Sequence, residues 1–400
     1  MNSQTNQANP NNKPGYRRAR KIAIVGGGMI AQVHWRAAIL AGAAVAGVLG
    51  RTPEDSAAMA AKWGCETAFG SIEELVSRQD IEVVHICTPN VTHAAYAAAA
   101  LEAGKSVICE KPLATTVVDA SRLADLARKC LAHGQVAAVP FVYRYYPVVR
   151  EIRARLQAGD LGEVLSIHGS YLQDWMLSKT AGWRVDPLIG GQSRAFADIG
   201  SHWFDLVEWV IGQRVESLVA QTSIAVAERK WEPGPSFGAD RVNAVGDDGN
   251  LGEAFPVTTE DTAMVLAHLG SGAVAAATIS QVSAGRKNRL WFEIDASRCS
   301  AVFNQEHPET VWFGGTTSSE VFTRSPIAGA PEQRRLSQLP AGHPQGFAQC
   351  FEAFVADVYS ACDGINAEGL PTFEDGLRAA QITNAVLSSE KSHQWQEVSQ

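Results

Sequence analysis

Residues 21–31 read Lys21-Ile22-Ala23-Ile24-Val25-Gly26-Gly27-Gly28-Met29-Ile30-Ala31. A short apolar run ends in three glycines, and a helix-forming stretch, Gln32 to Ala41, follows. This is a buried strand, a tight turn and a helix start in the pattern G-x-G-x-x-A. In that pattern Gly26 permits the bend, Gly28 lets a pyrophosphate approach the backbone, and Ala31 permits close helix–strand packing. Amides of the first helical turn then face the phosphates. A glycine turn with no ligand is the bland alternative; the strand before it and the helix after it argue against that.

Outward from this turn, short apolar runs alternate with alanine-rich helical stretches as far as about Phe141. Strands are expected at Ile22–Val25, Val45–Leu49, Cys65–Phe69, Glu82–Cys87, Ser106–Cys109 and Gln135–Pro140. Helices are expected at Gln32–Ala41, Pro53–Trp63, after Ser71, at Thr92–Ala103 and at Thr116–Ala132. The alternation predicts an α/β fold, a parallel doubly wound sheet with helices on both faces. After Leu161-Gly162-Glu163-Val164 the pattern changes to period-two runs: Leu165–Tyr171, Glu216–Ala227, Thr262–Leu269, Ala273–Val282, Leu290–Asp295 and Ser300–Phe303. These predict an antiparallel sheet with one face toward solvent or a partner. Lys230–Pro256 reads as a long loop, and Phe347–Ala361 and Phe373–Ser389 as amphipathic helices.

The chain of 400 residues has room for two domains. Its net charge of −8 argues against a nucleic-acid partner, and no apolar run approaches bilayer length. Seven scattered cysteines without a C-x-x-C pair indicate neither zinc nor a disulfide framework and suit a cytoplasmic setting. Residues 1–19 read as a disordered lead-in. Arg17-Arg18 before apolar sequence raises a twin-arginine export signal, but cleavage beyond it would remove the glycine turn, so export is not expected.

Glu110-Lys111-Pro112 follows the apolar strand Ser106–Cys109, at the carboxyl end where ligands bind in open α/β sheets. Asp198-Ile199-Gly200-Ser201-His202 lies further on, with Asp198 and His202 four residues apart on one expected helical face. Ile199, Trp203, Leu206, Val207, Val210 and Ile211 form the apolar stripe of that helix, with His202 and Asp205 beside it. Removing hydride from a secondary alcohol needs a base and a donor for the developing alkoxide. His202 suits the first role and Lys111 the second, with Asp198 orienting the imidazole or holding a substrate hydroxyl; no metal is required. The bland alternatives are an N-cap for Asp198, a packed histidine for His202 and an ion pair with Glu110 for Lys111.

Strand two ends in Leu49-Gly50-Arg51-Thr52, without the acid that commonly holds ribose hydroxyls; Arg51 suits a 2′-phosphate and leans the expectation toward NADP. Thr88-Pro89-Asn90 and His93 follow strand four on the ligand side, where helix capping explains them equally well. Trp175, Trp183 and Trp203 offer flat faces for a ring, and Gln173, Asp174 and Arg184 groups to read its hydroxyls; core filling is the alternative for each tryptophan.

Gly26–Ala31, Cys87-Thr-Pro-Asn-Val-Thr-His-Ala94 and Cys109-Glu-Lys-Pro-Leu-Ala114, in this order, resemble the glucose–fructose oxidoreductase/inositol dehydrogenase/MocA family. Pro140-Phe-Val-Tyr-Arg144, Pro147, Gly162-Glu-Val164 and Asp198–His202 continue the match from Lys21 through nearly the whole chain. Tyr171–Trp175, Gly182-Trp-Arg184 and Gly190-Gly191 look like the branch holding levoglucosan, inositol and glycoside 3-dehydrogenases. The resemblance implies a Rossmann domain (residues 20–146) followed by an α+β domain (147–400) whose open, mostly antiparallel sheet carries the substrate site and an oligomer interface. Its last helices are expected to pack back on the first domain. It implies reversible oxidation of a ring hydroxyl with NAD(P) by a homodimer or homotetramer, with Lys111, Asp198 and His202 as the catalytic trio. Cofactor contacts fall on Gly26, Gly28, Met29, Ile30, Arg51, Thr88, Asn90, His93, Glu110, Lys111 and Arg144. Two departures stand out: Val142 where the family often has asparagine, and Gln192-Ser193-Arg194 where small residues are common, so that the pocket is expected to be narrowed or to carry an extra charge. A redox-neutral glycosidase using bound NAD, and a non-catalytic sugar or nucleotide sensor, are the rival readings.

Overall fold

The computed structural model describes residues 19–231 and 253–399. The expected lead-in falls outside them except for Ala19, as does the middle of the expected Lys230–Pro256 loop.

Six strands build the first sheet: β1 (Lys21–Val25), β2 (Ala44–Leu49), β3 (Thr67–Phe69), β4 (Val83–Ile86), β5 (Ser106–Cys109) and β6 (Ala137–Ala138). All pairs are parallel and the order is β3-β2-β1-β4-β5-β6. The connecting helices are α1 (Met29–Leu40), α2 (Pro53–Trp63), α3 (Ile72–Ser77), α4 (His93–Glu102) and α5 (Val117–Leu131). Strands covered by helices on both faces are mostly apolar, and β4 and β5 are buried at every position, His85 and Ser106 included. The chain reverses its direction of winding between β1 and β4, which opens a crevice beyond their carboxyl ends. The sixth strand is shorter than its apolar run. Val139 N–H donates to Pro371 O at 3.2 Å and Ala138 bridges to Thr372, so a C-terminal segment takes over the pairing, and Pro140 has no N–H to offer.

The second half contributes α6 (Pro147–Gln157), β7 (Val164–Leu172), β8 (Thr180–Ala181), α7 (Pro187–Gly190), α8 (Ser201–Ile211), β9 (Val215–Ser223), β10 (Glu228–Trp231), β11 (Ala254–Pro256), β12 (Thr262–Leu269), β13 (Val274–Ser280), β14 (Arg289–Ala296), β15 (Cys299–Asn304), β16 (Thr310–Gly315), β17 (Ser319–Thr323), α9 (Pro331–Leu336), α10 (Phe347–Cys362), α11 (Phe373–Ser392) and β18 (Gln396–Glu397). Nine of these strands form a sheet in the order β17-β16-β15-β14-β7-β13-β12-β9-β18. Only β7 and β13 pair in parallel; the other neighbours are antiparallel. The protein is therefore α/β, with a parallel Rossmann sheet and a mostly antiparallel second sheet.

Three expectations differ here. The run Glu216–Ala227 is not one strand: β9 ends at Ser223 because Asp261 Oδ2 accepts from Ala225 N–H at 2.8 Å and Val226 N–H at 2.9 Å, turning the chain. The ends of the expected long loop are strands, since β10 pairs with β11 and with β8. Asp198 is no N-cap; it lies inside a wide π-helical turn, Phe196–Gly200, that runs directly into α8.

Helix α10 packs on α1, and α11 packs on α5 and β9, so the C-terminal helices clamp the two sheets together. One face of the nine-stranded sheet packs against helices. The other displays Met264, Leu266, Val274, Trp312 and Val321, all more than a third exposed.

Candidate active site

Gly26 closes β1 with φ +102°, and its N–H donates to Leu49 O at 2.8 Å. A Cβ there would stand 2.5 Å from Cys87 O, so only glycine fits. Gly28 is different: nothing lies within 4 Å of its hypothetical Cβ. Packing does not require glycine at that position, and the bare backbone leaves space for a ligand to lie against it. Gly28 also stands as an N-cap without a side-chain cap, which leaves the opening amides of α1 for an anion. Met29, 43% exposed, and the partly buried Ile30 flank this cradle, which fits a dinucleotide's diphosphate.

At the end of β2 a Cβ on Gly50 would meet Asp55 Cβ and Ser56 N at 2.7 Å, so the packing of α2 leaves no space for an acid there. Arg51 projects into solvent, 89% exposed at its side chain and 3.6 Å from Asp55. After β4, Asn90 Nδ2 donates to Gly190 O at 2.8 Å, tying this loop to α7, and Thr92 Oγ1 donates to Thr88 Oγ1 at 2.6 Å.

His93 does not face the crevice as the sequence reading has it. It is buried, with Nδ1 2.7 Å from Pro112 O and Nε2 2.8 Å from Thr88 O, a clasp between the loops after β4 and β5. Arg144 also lies elsewhere. Its guanidinium donates to Asp205 and, at 2.7 Å, to Asp375, against the Trp209 ring. Burial pushes the Asp205 carboxyl up to about 7, against the pull of Arg144.

Lys111 and Asp198 meet across the two halves of the chain. Lys111 Nζ donates to Asp198 O at 2.7 Å and to Oδ1 at 2.6 Å, while Gln281 Nε2 donates to Oδ2 at 2.7 Å. Burial opposes the charge on Asp198, but Lys111 and then Arg184 hold its carboxyl well below the usual range. Behind Gln281 the network continues. Arg194 Nη1 donates to Gln281 Oε1 at 3.0 Å, Arg194 Nη2 donates to Asp261, and Arg229 Nη2 donates to the same Asp261 oxygen at 2.8 Å. Arg194, where the sequence reading expects an extra charge for the pocket, is buried with its guanidinium on Gln281 and Asp261.

His202 stands beside this pair but makes no hydrogen bond with Asp198. The π-helical turn rotates Asp198 away from the position that a regular helix would give it. The ring is fixed by packing, perpendicular to Phe141 at 5.5 Å and nearly so to Tyr143 at 5.1 Å, with a buried, unpartnered Nδ1. Burial, then the Lys111 charge, holds its pKa well below the ordinary imidazole value, with Asp198 pulling the other way.

A polar belt extends from the histidine. Tyr143 and Tyr171 share a hydrogen bond, Tyr171 Oη donates to Asn288 Oδ1 at 2.7 Å, Gln173 Nε2 donates to the same oxygen at 2.8 Å, and Trp175 Nε1 donates to Gln173 Oε1 at 2.7 Å. Arg184 lies over Trp183 at 4.5 Å and 5.8 Å from the Trp175 ring. Asp174 turns outward to Lys287 Nζ at 2.7 Å and Gly285 N at 3.0 Å. Trp203 is core, fully buried with Nε1 donating to Trp291 O at 3.0 Å. Gln281 and Asn288 are not singled out by the sequence reading, and Tyr143 and Tyr171 stand in it only inside motifs, without a role in the site. Gln281 leaves a signal of its own, as a polar residue closing the apolar alternation of β13.

Two family models match: the oxidoreductase family with NAD-binding Rossmann fold over residues 20–137, and the GFO/IDH/MocA C-terminal domain over residues 149–302. The fold and the crevice define an NAD-binding oxidoreductase. Levoglucosan dehydrogenase of Pseudarthrobacter phenanthrenivorans is 32% identical over 95% of this chain and 98% of its own length. The chain thus belongs to the glucose–fructose oxidoreductase/inositol dehydrogenase/MocA family. Among solved structures, levoglucosan dehydrogenase in complex with NADH superposes with a TM-score of 0.83 at 27% identity, covering 96% of this chain and all of that one. An oxidoreductase domain protein from Kribbella flavida gives 0.84 at 31% identity, with the same coverage. These relatives lend no support to the lean toward NADP.

Gln281→Leu removes the donor from Asp198 Oδ2 and the acceptor from Arg194. Turnover is expected to fall about tenfold or more, with dinucleotide affinity nearly unchanged, because a displacement of order 1 Å costs up to ~100-fold. Steady-state kinetics beside a dinucleotide titration checks this.

Proposed function

We propose that the protein is an NAD(P)-dependent dehydrogenase that oxidises a ring hydroxyl of a cyclic polyol or sugar, of inositol, anhydrosugar or glycoside type, to a ketone. The observation that carries this reading is the Lys111–Asp198 contact, formed beside His202 at the carboxyl end of β5. An ammonium has three N–H donors. Asp198 takes two of those of Lys111, so the third is left for a substrate oxygen gaining negative charge. His202 accepts the hydroxyl proton, and the charge beside it that lowers its pKa also favours the alkoxide. Asp198 positions Lys111 instead of orienting the imidazole. A nicotinamide dinucleotide, when bound, supplies the hydride acceptor, held by the Gly26–Ile30 cradle, the loops at Thr88 and Asn90, and the Glu110–Lys111 segment. Trp175, Trp183 and Arg184, with Gln173 behind them, present aromatic faces and donors to a hydroxylated ring.

The finer cofactor expectation rests on Arg51, exposed beside Asp55 and within solvent reach of a 2′-phosphate, beyond a β2 end that has no space for an acid. We also propose a cytoplasmic setting, supported by seven free cysteines, four of them buried thiols. The domains are taken to divide at residues 146 and 147, between the short 3-10 turn Val142–Tyr145 that carries Arg144 and the start of α6. A homodimer or homotetramer is supported by the outer face of the nine-stranded sheet. There Met264 and Leu266 on β12 continue into Val274 on β13, and Trp312 on β16 into Val321 on β17.

Four outcomes are expected. Incubating polyols, inositols, anhydrosugars and glycosides with NAD and with NADP should raise the absorbance of reduced nicotinamide, more with NADP. Lys111→Ala should bind dinucleotide yet turn over about 100-fold or more slowly. Full activity in that variant, or aglycone release without reduced cofactor, would remove the dehydrogenase reading. A base must be unprotonated to act, and a lowered pKa keeps His202 neutral further down the pH scale. The acid limb of kcat/KM should therefore lie below the ordinary imidazole value of 6.5; a limb at or above it that disappears in His202→Gln contradicts this. Light scattering should give a multiple of the 42.8 kDa chain mass that falls in Leu266→Glu.

A further inference from the structure

Four side chains on separate elements form an unbroken hydrogen-bonded chain beneath the dinucleotide cradle. Glu110 follows β5, His34 sits on α1, His85 on β4 and Tyr359 on α10. His34 Nε2 lies 3.1 Å from Glu110 Oε1, His34 Nδ1 lies 2.9 Å from His85 Nδ1, and His85 Nε2 lies 2.9 Å from Tyr359 Oη. Both imidazoles are fully buried, and Phe351 stands edge-on to His34 at 4.7 Å. The reaction described above uses neither histidine.

The types of group dictate where the protons sit. A carboxylate only accepts, so His34 Nε2 carries a hydrogen. If that is the ring's one hydrogen, Nδ1 presents a lone pair, and His85 Nδ1–H must fill it. His85 Nε2 accepts in turn from the Tyr359 hydroxyl. Burial, then His34, holds His85 well below the ordinary imidazole range, and burial holds the Tyr359 phenol above its own, so both remain neutral. Burial disfavours the charge on Glu110, but the His34 contact and the charge of Lys111 keep its carboxyl below the usual range. With neutral rings and an ionised Glu110, no other arrangement satisfies all three contacts. The second Glu110 oxygen accepts from the backbone N–H of Lys111 at 3.2 Å.

We propose that His34 is a positioning residue: the one-way chain from Tyr359 through His85 and His34 fixes the Glu110 carboxylate and, through it, the backbone from which Lys111 reaches the substrate. Because α1 carries both His34 and the cradle amides, the chain also registers the dinucleotide phosphates against Lys111. The proposal deepens the dehydrogenase reading and rests on it.

Nitrogen-15 NMR of the full-length protein reads the chain without any turnover. His34 is expected to be protonated at Nε2 only and His85 at Nδ1 only. Two variants then separate positioning from packing. His34→Gln places an amide donor near the former Nε2, within reach of Glu110, whereas His34→Asn reaches only the former Nδ1. His34→Gln should keep kcat within about threefold and His34→Asn should lose about tenfold or more, while both bind NAD or NADP within about twofold of the parent. Equal losses in the two variants, or a His34 protonated at Nδ1 only, would overturn the proposal. A parent protein that reduces neither dinucleotide with any polyol counts against the dehydrogenase reading, and the NMR result then decides the chain by itself.

Discussion

The ion pair between Lys111 and Asp198 is the contact on which the rest of the site depends. One partner ends a strand of the parallel sheet, and the other lies in the helical entry to α8 in the second half of the chain. Both are largely shielded from solvent, so an unpaired member would bear a desolvation cost of several kcal/mol. The pair therefore holds the two halves in register while keeping an ammonium aimed into the crevice. Breaking it would leave a buried charge on each side, which is why the network behind Asp198 matters as much as the pair itself.

That network differs on its two sides. Asp198 is held by a continuous run of hydrogen-bonded charges and amides, from Gln281 through Arg194 and Asp261 to Arg229. His202 is held by ring edges and faces alone. Donors from Lys111 and Gln281 occupy both oxygens of the carboxylate, and that keeps the lysine geometry constant. Burial in the aromatic frame, then the Lys111 charge, holds the His202 imidazole well below its ordinary pKa, so it stays in the unprotonated form that the proposed base role needs. On the cofactor side, Gly28 has no packing reason to be glycine and Gly26 has a strong one. One glycine shapes the turn and the other leaves space for a ligand.

Much of this was legible from residue order. The strand, glycine turn and helix at 21–40 are set by local chemistry, and each buried parallel strand announces itself as an apolar run. Strand β17 went unforeseen because an edge strand exposed along nearly all its length has no buried face to impose a period on its sequence. In the site, Lys111, Asp198 and His202 are brought together as their motifs suggested, but their wiring was hidden. A four-residue spacing promises a shared helical face only in a regular helix, and the turn Phe196–Gly200 is wider than one. His93, Arg144 and Arg194 misled for another reason. Charge and motif position say nothing about which way a long side chain turns, and all three point into buried polar clusters. Gln281 and Asn288 come from distant strands and loops, where only the register of the sheet brings them to the crevice.

The most direct measurement is a crystal structure of the protein with an oxidised dinucleotide and a cyclic polyol. The account predicts one ring hydroxyl within hydrogen-bonding distance of both Lys111 Nζ and His202, with its carbon facing the nicotinamide ring. A polyol seated elsewhere, or a hydroxyl held by neither side chain, would contradict it.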